Sequence, residues 1–410
     1  MKKIASIVKN NISGAWPSRH SVNNTIWRYY AFCFLKDLAF FSAVLVPFFT
    51  EWGGISLTQV QIIQSWFMFW LFVLEIPTGA VADFIGRKHS VSLGAFVVAI
   101  AVLVYGSVPK FEIFLLGEFL FAVAMALISG ADEALLYDSL KEAGREDERK
   151  KVFGKANSFH LFGMLVAAPV GSLIASRQGL NAPMLFSAIP YFLAALTAWS
   201  IREPSVHQGK SESKRYIDIV RNGFSYLRGH KILRLLALDA VVVASSAYFI
   251  IWLYQPFLRS LGIGIFYFGV IHAILVLSEI LVSSNFERLT KIFKSDKRYL
   301  RISALIVVVT FLMVAIQPNI VTISVLVIFG GGFGLTRLPL MSSYMNKFIP
   351  SEQRATVLSS ISMLRRFALV ILNPFIGFAA DHSLRAAALI VGLLPLAIFF
   401  FSPIEQEMLE

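Results

Sequence analysis

The 410-residue chain is 57% hydrophobic and 15% charged, whereas a typical soluble domain carries about 25% charged residues. This composition excludes a soluble globular protein and indicates a membrane protein. On that background the net charge of +12 is not a sign of nucleic-acid binding, and the single cysteine, Cys33, excludes an intramolecular disulfide framework and a cysteine metal cage.

Apolar runs of about 20 residues, the length that crosses a bilayer core, divide the chain into twelve predicted transmembrane helices, called spans 1 to 12. Span 1 follows a basic stretch, and no small-residue cleavage site follows it, so it is predicted to be a retained helix. The predicted bounds are Ile26–Phe49, Val60–Ala82, Ser90–Val108, Ile113–Leu136, Phe153–Ala175, Met184–Ile201, Ile232–Tyr254, Phe266–Val282, Ile302–Ile316, Val321–Met345, Val357–Ala379 and Ala386–Phe401.

Most Lys and Arg residues fall in the predicted loops on one side of the membrane. The loops on the other side hold Lys110, Arg177, Arg259 and Arg385. Because basic loops stay in the cytoplasm, this asymmetry predicts a multi-pass protein of the cell inner membrane or plasma membrane, with both termini cytoplasmic. It also accounts for the positive net charge without a nucleic-acid partner.

A polar segment near the middle of the chain separates two groups of six spans. Four apolar residues from Ile217 to Leu227 recur there at helical spacing, which predicts an amphipathic helix lying on the membrane surface and joining two halves. A regulatory or partner-binding helix is the alternative. The predicted domains are a six-helix half over 1–201, a cytoplasmic linker over 202–230 and a second six-helix half over 231–410.

The end of span 2 and the loop after it combine small and charged residues at a distinctive spacing. Gly79 permits close approach of another helix, and Asp83 can accept hydrogen bonds at a helix N-terminus. Gly86 permits a tight turn before Arg87 and Lys88. This G-x-x-x-D-x-x-G-R-K pattern, between the second and third of twelve spans, resembles the signature loop of the major facilitator superfamily.

The resemblance implies an all-α membrane protein with the major facilitator fold, in which twelve transmembrane helices form two six-helix halves. Such a protein moves a small solute by alternating access around a central site. Spans 1, 4, 7 and 10 are then expected to line the cavity, and spans 2, 5, 8 and 11 to form the interface between the halves. The signature loop becomes a gating motif, in which we expect Asp83 and Arg87 to belong to a cytoplasmic latch with Asp132 or Asp138.

Two further stretches resemble members of the same family. In span 5, Gly163, Pro169 and Gly171 resemble a degenerate form of the glycine-proline motif of the family's exporters. This likeness favours efflux, and helix packing is the alternative explanation for these residues. The stretches SGADEALLYDSL and NKFIPSEQRATVLSSISM resemble bacterial permeases of the family.

Charged side chains inside a span cost roughly 2.5–3.5 kcal/mol each at the helix centre. Asp37 lies near the middle of span 1, and its neighbour Lys36 points about 100° away, so Lys36 does not pair with it on the same face of the helix. Asp37 is therefore predicted to carry a coupling proton. At most one of the adjacent arginines of span 11 is expected to face the cavity, with Glu75 as the candidate partner of the other. Ion pairs that serve only assembly or gating are the alternative. The predicted substrate and proton pathway comprises Asp37, Glu118, Asp239, Arg337, Arg365 and Arg366.

These features predict a secondary active transporter that exports a small solute in exchange for protons. Uptake by proton symport or uniport is the alternative within this class, and a membrane-embedded enzyme is the alternative of another class. No HExxH, DDxxD or Cys-His pair is present, so no catalytic residue, metal or cofactor is predicted. The expected partners are a small-molecule substrate, protons and the lipid bilayer, with no nucleic acid, and the expected state is a monomer.

Overall fold

A computed structural model describes residues 19–204, 222–350, 353–401, 404 and 409, most of which are helical, with no strand among them. Ten helices in the described part are long and apolar enough to cross a membrane. The helical segments within residues 19–52 and 384–401 complete twelve spans. The predicted all-α fold with twelve transmembrane helices is therefore confirmed.

The first half contains spans 1 to 6. Span 1 is Arg19–Lys36 followed by Ser42–Val44, Leu45–Pro47 and Phe48–Trp52, and span 2 is Leu57–Ile85. Span 3 is Arg87–Ser107, span 4 is Phe111–Ser129 with Asp132–Glu142, span 5 is Arg149–Gln178, and span 6 is Ala182–Phe186 with Ala188–Trp199.

The second half contains spans 7 to 12. Span 7 is Lys231–Ser260, span 8 is Ile265–Ser284, span 9 is Asp296–Ile316, and span 11 is Arg354–His382. Span 10 is Ile320–Val325, Leu326–Gly331, Gly332–Leu335 and Arg337–Met345, and span 12 is Leu384–Leu393 with Leu396–Phe401.

Span 9 begins earlier than the predicted start at Ile302. Its first turn is polar, so the sequence pattern predicts a loop there. In the structure Ser295 accepts a hydrogen bond from the Arg298 N–H and so caps the helix. We call the end of the bundle that carries the loops after spans 2, 4, 8 and 10 the basic end. The opposite end, with the loops after spans 1 and 7, is called the far end.

Span 1 is not the continuous helix that was predicted over Ile26–Phe49. Its first helix ends at Lys36, and residues 37–41 form turns before helical structure resumes. Asp37 therefore lies at a helix break, whereas the sequence placed it in mid-helix. Residues 37–41 contain no proline or glycine, and the interruption depends on groups from other spans.

Side chains from other helices satisfy the backbone at this break. Ser187 of span 6 accepts a hydrogen bond from the Phe40 N–H at 3.0 Å. Gln255 of span 7 accepts one from the Val46 N–H at 3.0 Å and donates one to the Ser42 carbonyl at 3.2 Å. Because hydrocarbon offers no hydrogen bonds of its own, such partners are required wherever a span is not helical.

Two glycines of span 5 allow the interrupted span 1 to pack directly against that helix. A Cβ atom at Gly163 would lie 2.6 Å from the Phe34 carbonyl oxygen, and one at Gly171 would overlap the Phe40 carbonyl group. In this structure the stretch that resembles an exporter motif thus makes close helix packing possible, which is the alternative that the sequence left open.

Span 10, which contains four glycines and Pro339, is also irregular. A π-helical segment covers Leu326–Gly331, and the helix is interrupted at Thr336, three residues before Pro339, which lacks a backbone N–H. The glycines are packed closely as well, since a Cβ atom at Gly334 would lie 2.6 Å from the Cβ atom of Ala247 in span 7. Interruption and close packing therefore occur together in this span.

Part of the predicted linker helix falls outside the described residues, which omit 205–221. Residues 222–229 are helical. Leu227 is buried in the apolar core of the second half, and the Tyr226 hydroxyl donates to the Phe348 carbonyl at 3.0 Å. The described end of the linker is thus attached to the second half.

The tight contact at Gly171 predicts a stability difference within span 5. Gly171→Ala should lower the free energy of unfolding by about 1–3 kcal/mol, because the added methyl group overlaps the span 1 backbone. Gly154→Ala is the matched control, since no atom lies within 4 Å of a Cβ there, and it should be neutral or stabilising. Thermal unfolding of the purified variants measures both effects, and equal stability of the two variants would contradict the packing argument.

Candidate functional site

Four ionisable side chains meet at the break of span 1, and we call them the span 1 cluster: Lys36, Asp37, Asp132 and His160. The Lys36 ammonium lies 3.5 Å from the Asp132 carboxylate of span 4. The Asp37 carboxylate lies 2.5 Å from Nδ1 of His160 in span 5. Asp37 lies just after the end of the helix, and Lys36 and Asp37 contact different spans. The two side chains therefore point in different directions, as predicted.

The cluster is partly accessible and touches the second half. The side chain of His160 is 37% exposed and that of Asp37 is 19% exposed. Glu279 of span 8 lies within electrostatic range of His160, and Tyr191 of span 6 lies within electrostatic range of Asp37. The cluster therefore lies near the place where the two halves of the protein meet.

A second polar group lies between spans 2 and 4 of the first half and spans 7 and 11 of the second. Tyr248 of span 7 interacts with the side chains of Trp252 and Asn373 and lies within electrostatic range of Glu118 and Arg365. The Glu118 carboxyl contacts the Gln64 amide of span 2. We call the following residues the interface site: Gln61, Gln64, Glu118, Tyr248, Trp252, Asn373 and Arg365.

Several polar atoms of the interface site are buried without a hydrogen-bond partner in the described part of the chain. They are Gln61 Oε1, Tyr248 Oη, Trp252 Nε1, Arg365 Nε, and Nδ2 and Oδ1 of Asn373. Buried polar groups are normally paired, because leaving one unpaired costs about 1–3 kcal/mol. Such a concentration of unpaired donors and acceptors at one interface makes it a candidate ligand site.

The sequence placed Glu118 and Arg365 on the pathway but missed their neighbours. Gln61 and Gln64 are 4% and 7% exposed, and Asn373 is fully buried. Amide side chains within apolar spans are visible in the sequence and could have indicated these buried polar residues. Trp252 and Tyr248 had no such signal, because aromatic residues are common throughout the chain.

The adjacent arginines of span 11 are divided as their spacing suggested. Arg366 forms an ion pair with Glu75 of span 2, which was the candidate interface partner. Arg365 lies within electrostatic range of Tyr248 instead, and no acidic side chain in the described residues pairs with it. One arginine therefore joins spans 2 and 11, while the other belongs to the interface site.

Asp239 and Arg337 lie in the packed interior of the second half, although both were predicted for the cavity. Arg337 is 1% exposed and donates to Asp239 from Nε at 2.8 Å and from Nη2 at 2.5 Å. Its Nη1 donates to the Leu300 carbonyl and the Ser303 hydroxyl of span 9. The pair thus holds spans 7, 9 and 10 together, which is the assembly role left open as the alternative.

The predicted gating motif surrounds the turn between spans 2 and 3. Gly86 adopts φ +96°, which favours glycine. Arg87 forms an ion pair with Asp138 of span 4, and Glu203 accepts hydrogen bonds from the Arg87 and Lys88 N–H groups at 2.8 Å. Both members of the Arg87 pair belong to the first half, so this contact alone does not join the two halves.

Gly79 and Asp83 lie in the last turns of span 2. The side chain of Asp83 falls outside the described part of the structure, so its predicted role in a latch stays a prediction.

At the far end, polar contacts join the two halves directly. Arg259 of span 7 donates to both carboxylate oxygens of Glu51 in span 1, at 2.5 and 2.8 Å. Asp381 of span 11 accepts hydrogen bonds from the Leu57 and Thr58 N–H groups at 2.8 and 2.9 Å and so caps the first turn of span 2. These contacts close the far end between spans 1 and 7 and between spans 2 and 11.

Comparison with known proteins agrees with this geometry. The family model of the Major Facilitator Superfamily matches residues 30–371. The chain belongs to the major facilitator superfamily. It is therefore a multi-pass membrane transporter of small solutes and not an enzyme, and the resemblance of the signature loop is confirmed.

Individual relatives of this superfamily member are distant. An uncharacterized MFS-type transporter of Bacillus subtilis, YxaM, is 23% identical over 397 residues, which cover 92% of this chain and 95% of that protein. The solved nucleoside transporter NupG has a TM-score of 0.76 at 15% identity, over 92% of this chain and 98% of that one. A D-xylose-proton symporter has a TM-score of 0.68 at 13% identity, over 94% and 98%. At these identities the solved structures show the shared fold alone.

The two arginines of span 11 should respond oppositely to removal of their charge. Arg365→Met should raise the free energy of unfolding by about 1–3 kcal/mol, because it removes a charge that has no acidic partner among the described residues. Arg366→Met should lower it by a similar amount, because it takes the ion-pair partner from Glu75. Thermal unfolding in one detergent compares the two variants, and shifts of the same sign would contradict these assignments.

Proposed function

We propose that this transporter is driven by protons, with the span 1 cluster as the proton site and the interface site as the solute site. The proposal rests on the contact between Asp37 and His160, because this contact places two groups that can exchange protons next to each other at a helix break. A carboxylate and an imidazole in contact can share or release a proton when their surroundings change. The position of His160 near Glu279 of the opposite half links such a change to movement between the halves.

We propose further that residues 1–201 and 231–410 rock against each other as two units joined by 202–230. The Asp239–Arg337 pair supports this proposal, since it stiffens the second half from within. If the basic loops are cytoplasmic, the far end faces outward and its Glu51–Arg259 contact closes the outer side. Opening to the outside then requires this ion pair to break.

Asp37 is the residue whose neutralisation tests proton coupling most directly. Asp37→Asn should abolish accumulation driven by a pH gradient in liposomes, with at least a tenfold loss, while exchange of labelled for unlabelled solute survives. The physical reason is that an amide keeps the hydrogen bond to His160 but cannot release a proton.

Asp147→Asn is the matched control for this experiment, because Asp147 is exposed in the short helix Glu146–Glu148. It should leave both activities unchanged. Wild-type accumulation by the Asp37→Asn variant would remove Asp37 as the coupling site, and loss of exchange together with accumulation would indicate a folding or binding role.

For direction we propose export in exchange for protons, supported by the span 5 stretch around Gly163 and Pro169 that resembles an exporter motif. Uptake by symport is the second candidate. It is favoured by similarity to a chloroplastic D-xylose-proton symporter-like protein of Arabidopsis thaliana, 26% identical over 210 residues, which cover 48% of this chain and 37% of that protein.

The polarity of the driving gradient distinguishes the two directions, whichever way the protein inserts into liposomes. Proton exchange predicts solute accumulation when the lumen is more acidic than the medium. Symport predicts accumulation when the medium is more acidic. Equilibration of the solute without accumulation under either gradient would indicate uniport and would contradict both.

We also propose a monomer in the cell membrane with both termini in the cytoplasm, supported by the asymmetry of the basic loops. Lys291, exposed at the basic end, and Gln317, at the opposite end of span 9, test this orientation. In a Cys33→Ser background, Gln317→Cys should react with an impermeant maleimide in intact cells, and Lys291→Cys should react only after the membrane is opened. The reverse pattern would overturn the orientation.

A further inference from the structure

The arginine of the interface site differs from the other bases that were predicted inside the spans. Three of them have acidic partners, namely Lys36 with Asp132, Arg337 with Asp239, and Arg366 with Glu75. Arg365 has no acidic partner in the described part of the chain, and its Nε atom is buried without an acceptor. An uncompensated cation at this depth is costly, so its retention calls for a negatively charged group that the protein itself does not supply.

The neighbours of Arg365 add hydrogen-bond donors to that positive charge. Trp252 has an unpaired indole N–H, Asn373 has an unpaired amide NH₂ and carbonyl oxygen, and Tyr248 has an unpaired hydroxyl. Trp252 and Asn373 lie close to the Tyr248 side chain, and Arg365 lies within electrostatic range of it. Indole and guanidinium groups can only donate, so Trp252 and Arg365 are complementary to a group that only accepts.

We infer that the transported solute carries a carboxylate or phosphate group, and that Arg365 binds this oxyanion. A guanidinium offers a planar fork of N–H donors that matches two oxygens of a carboxylate or a phosphate. The inference rests on the proposed solute site and names the chemical class of its ligand.

Glu118 is the acidic residue of the interface site. Its carboxyl lies within electrostatic range of Tyr248 and contacts Gln64, and no basic side chain in the described residues forms an ion pair with it. In its ionised form this carboxyl opposes an oxyanion at Arg365. Glu118→Gln should therefore strengthen oxyanion binding severalfold at alkaline pH, whereas Arg365→Gln should abolish it.

Thermal unfolding of the purified full-length protein in detergent tests the ligand class with matched pairs of solutes. Lactate is compared with lactamide, benzoate with benzamide, and glycerol phosphate with glycerol, with chloride added to equalise ionic strength. Ligand binding raises Tm through mass action, by about 2 °C at tenfold excess over Kd for a protein of this size. At least one oxyanion should raise Tm, and its neutral counterpart should not.

The variants locate the effect. Arg365→Gln should lose the Tm shift, Arg365→Lys should keep part of it, and Arg354→Gln should keep all of it. Arg354 is the control because it is an exposed arginine of the same span, at the basic end. Equal shifts from neutral and anionic solutes, shifts that survive in Arg365→Gln, or no shift from any oxyanion would each overturn the inference.

These measurements need no proton gradient, so they separate the ligand class from the proposed coupling. Binding of an oxyanion through Arg365 without proton-driven accumulation would remove the coupling and keep the ligand class. Proton-driven accumulation of a neutral solute, with no oxyanion bound, would keep the coupling and remove the ligand class. The carboxylate and phosphate arms show which oxyanion the site accepts.

Discussion

The structure depends on one constraint, which is that hydrocarbon offers no hydrogen bonds, so polar groups inside a span must find partners within the protein. The break of span 1 shows what this requires. Ser187 and Gln255 reach from spans 6 and 7 to satisfy its free backbone groups, and glycines in span 5 bring a third helix into contact with it. One short irregular segment thereby determines how four helices pack.

The same constraint separates the rigid parts of the molecule from the parts that can change. Within the second half, Arg337 is surrounded by the Asp239 carboxylate, the Leu300 carbonyl and the Ser303 hydroxyl. Its hydrogen bonds stay inside one half, so motion between the halves need not disturb them. A group of unpaired polar atoms lies at the interface of the halves instead, around Tyr248 and Asn373, where a ligand and a conformational change can both complete them.

The two ends of the molecule are held by different kinds of contact. At the far end the Glu51–Arg259 pair and the cap that Asp381 provides for span 2 join opposite halves. At the basic end the Arg87–Asp138 pair joins spans of the same half. Contacts between the halves have to be exchanged during alternating access, whereas contacts within a half can persist through the cycle. This difference identifies the far-end pairs, together with the Arg366–Glu75 pair of spans 11 and 2, as contacts that a change of conformation must break.

The sequence by itself determined the fold class, the twelve spans and the family. Hydrophobic length and the spacing around Gly86 and Arg87 are local properties of the chain, and a membrane span needs no distant partner to be recognised. It also separated Arg365 from Arg366, because helical geometry alone turns neighbours to different faces. Only the tertiary structure decided that Asp37 leaves the helix and contacts His160, and that Arg337 is buried in an ion pair. His160 lies more than a hundred residues from Asp37 along the chain, and Asp239 lies nearly a hundred residues from Arg337. The energy of a charge in the membrane depends on which groups the packed helices bring to it.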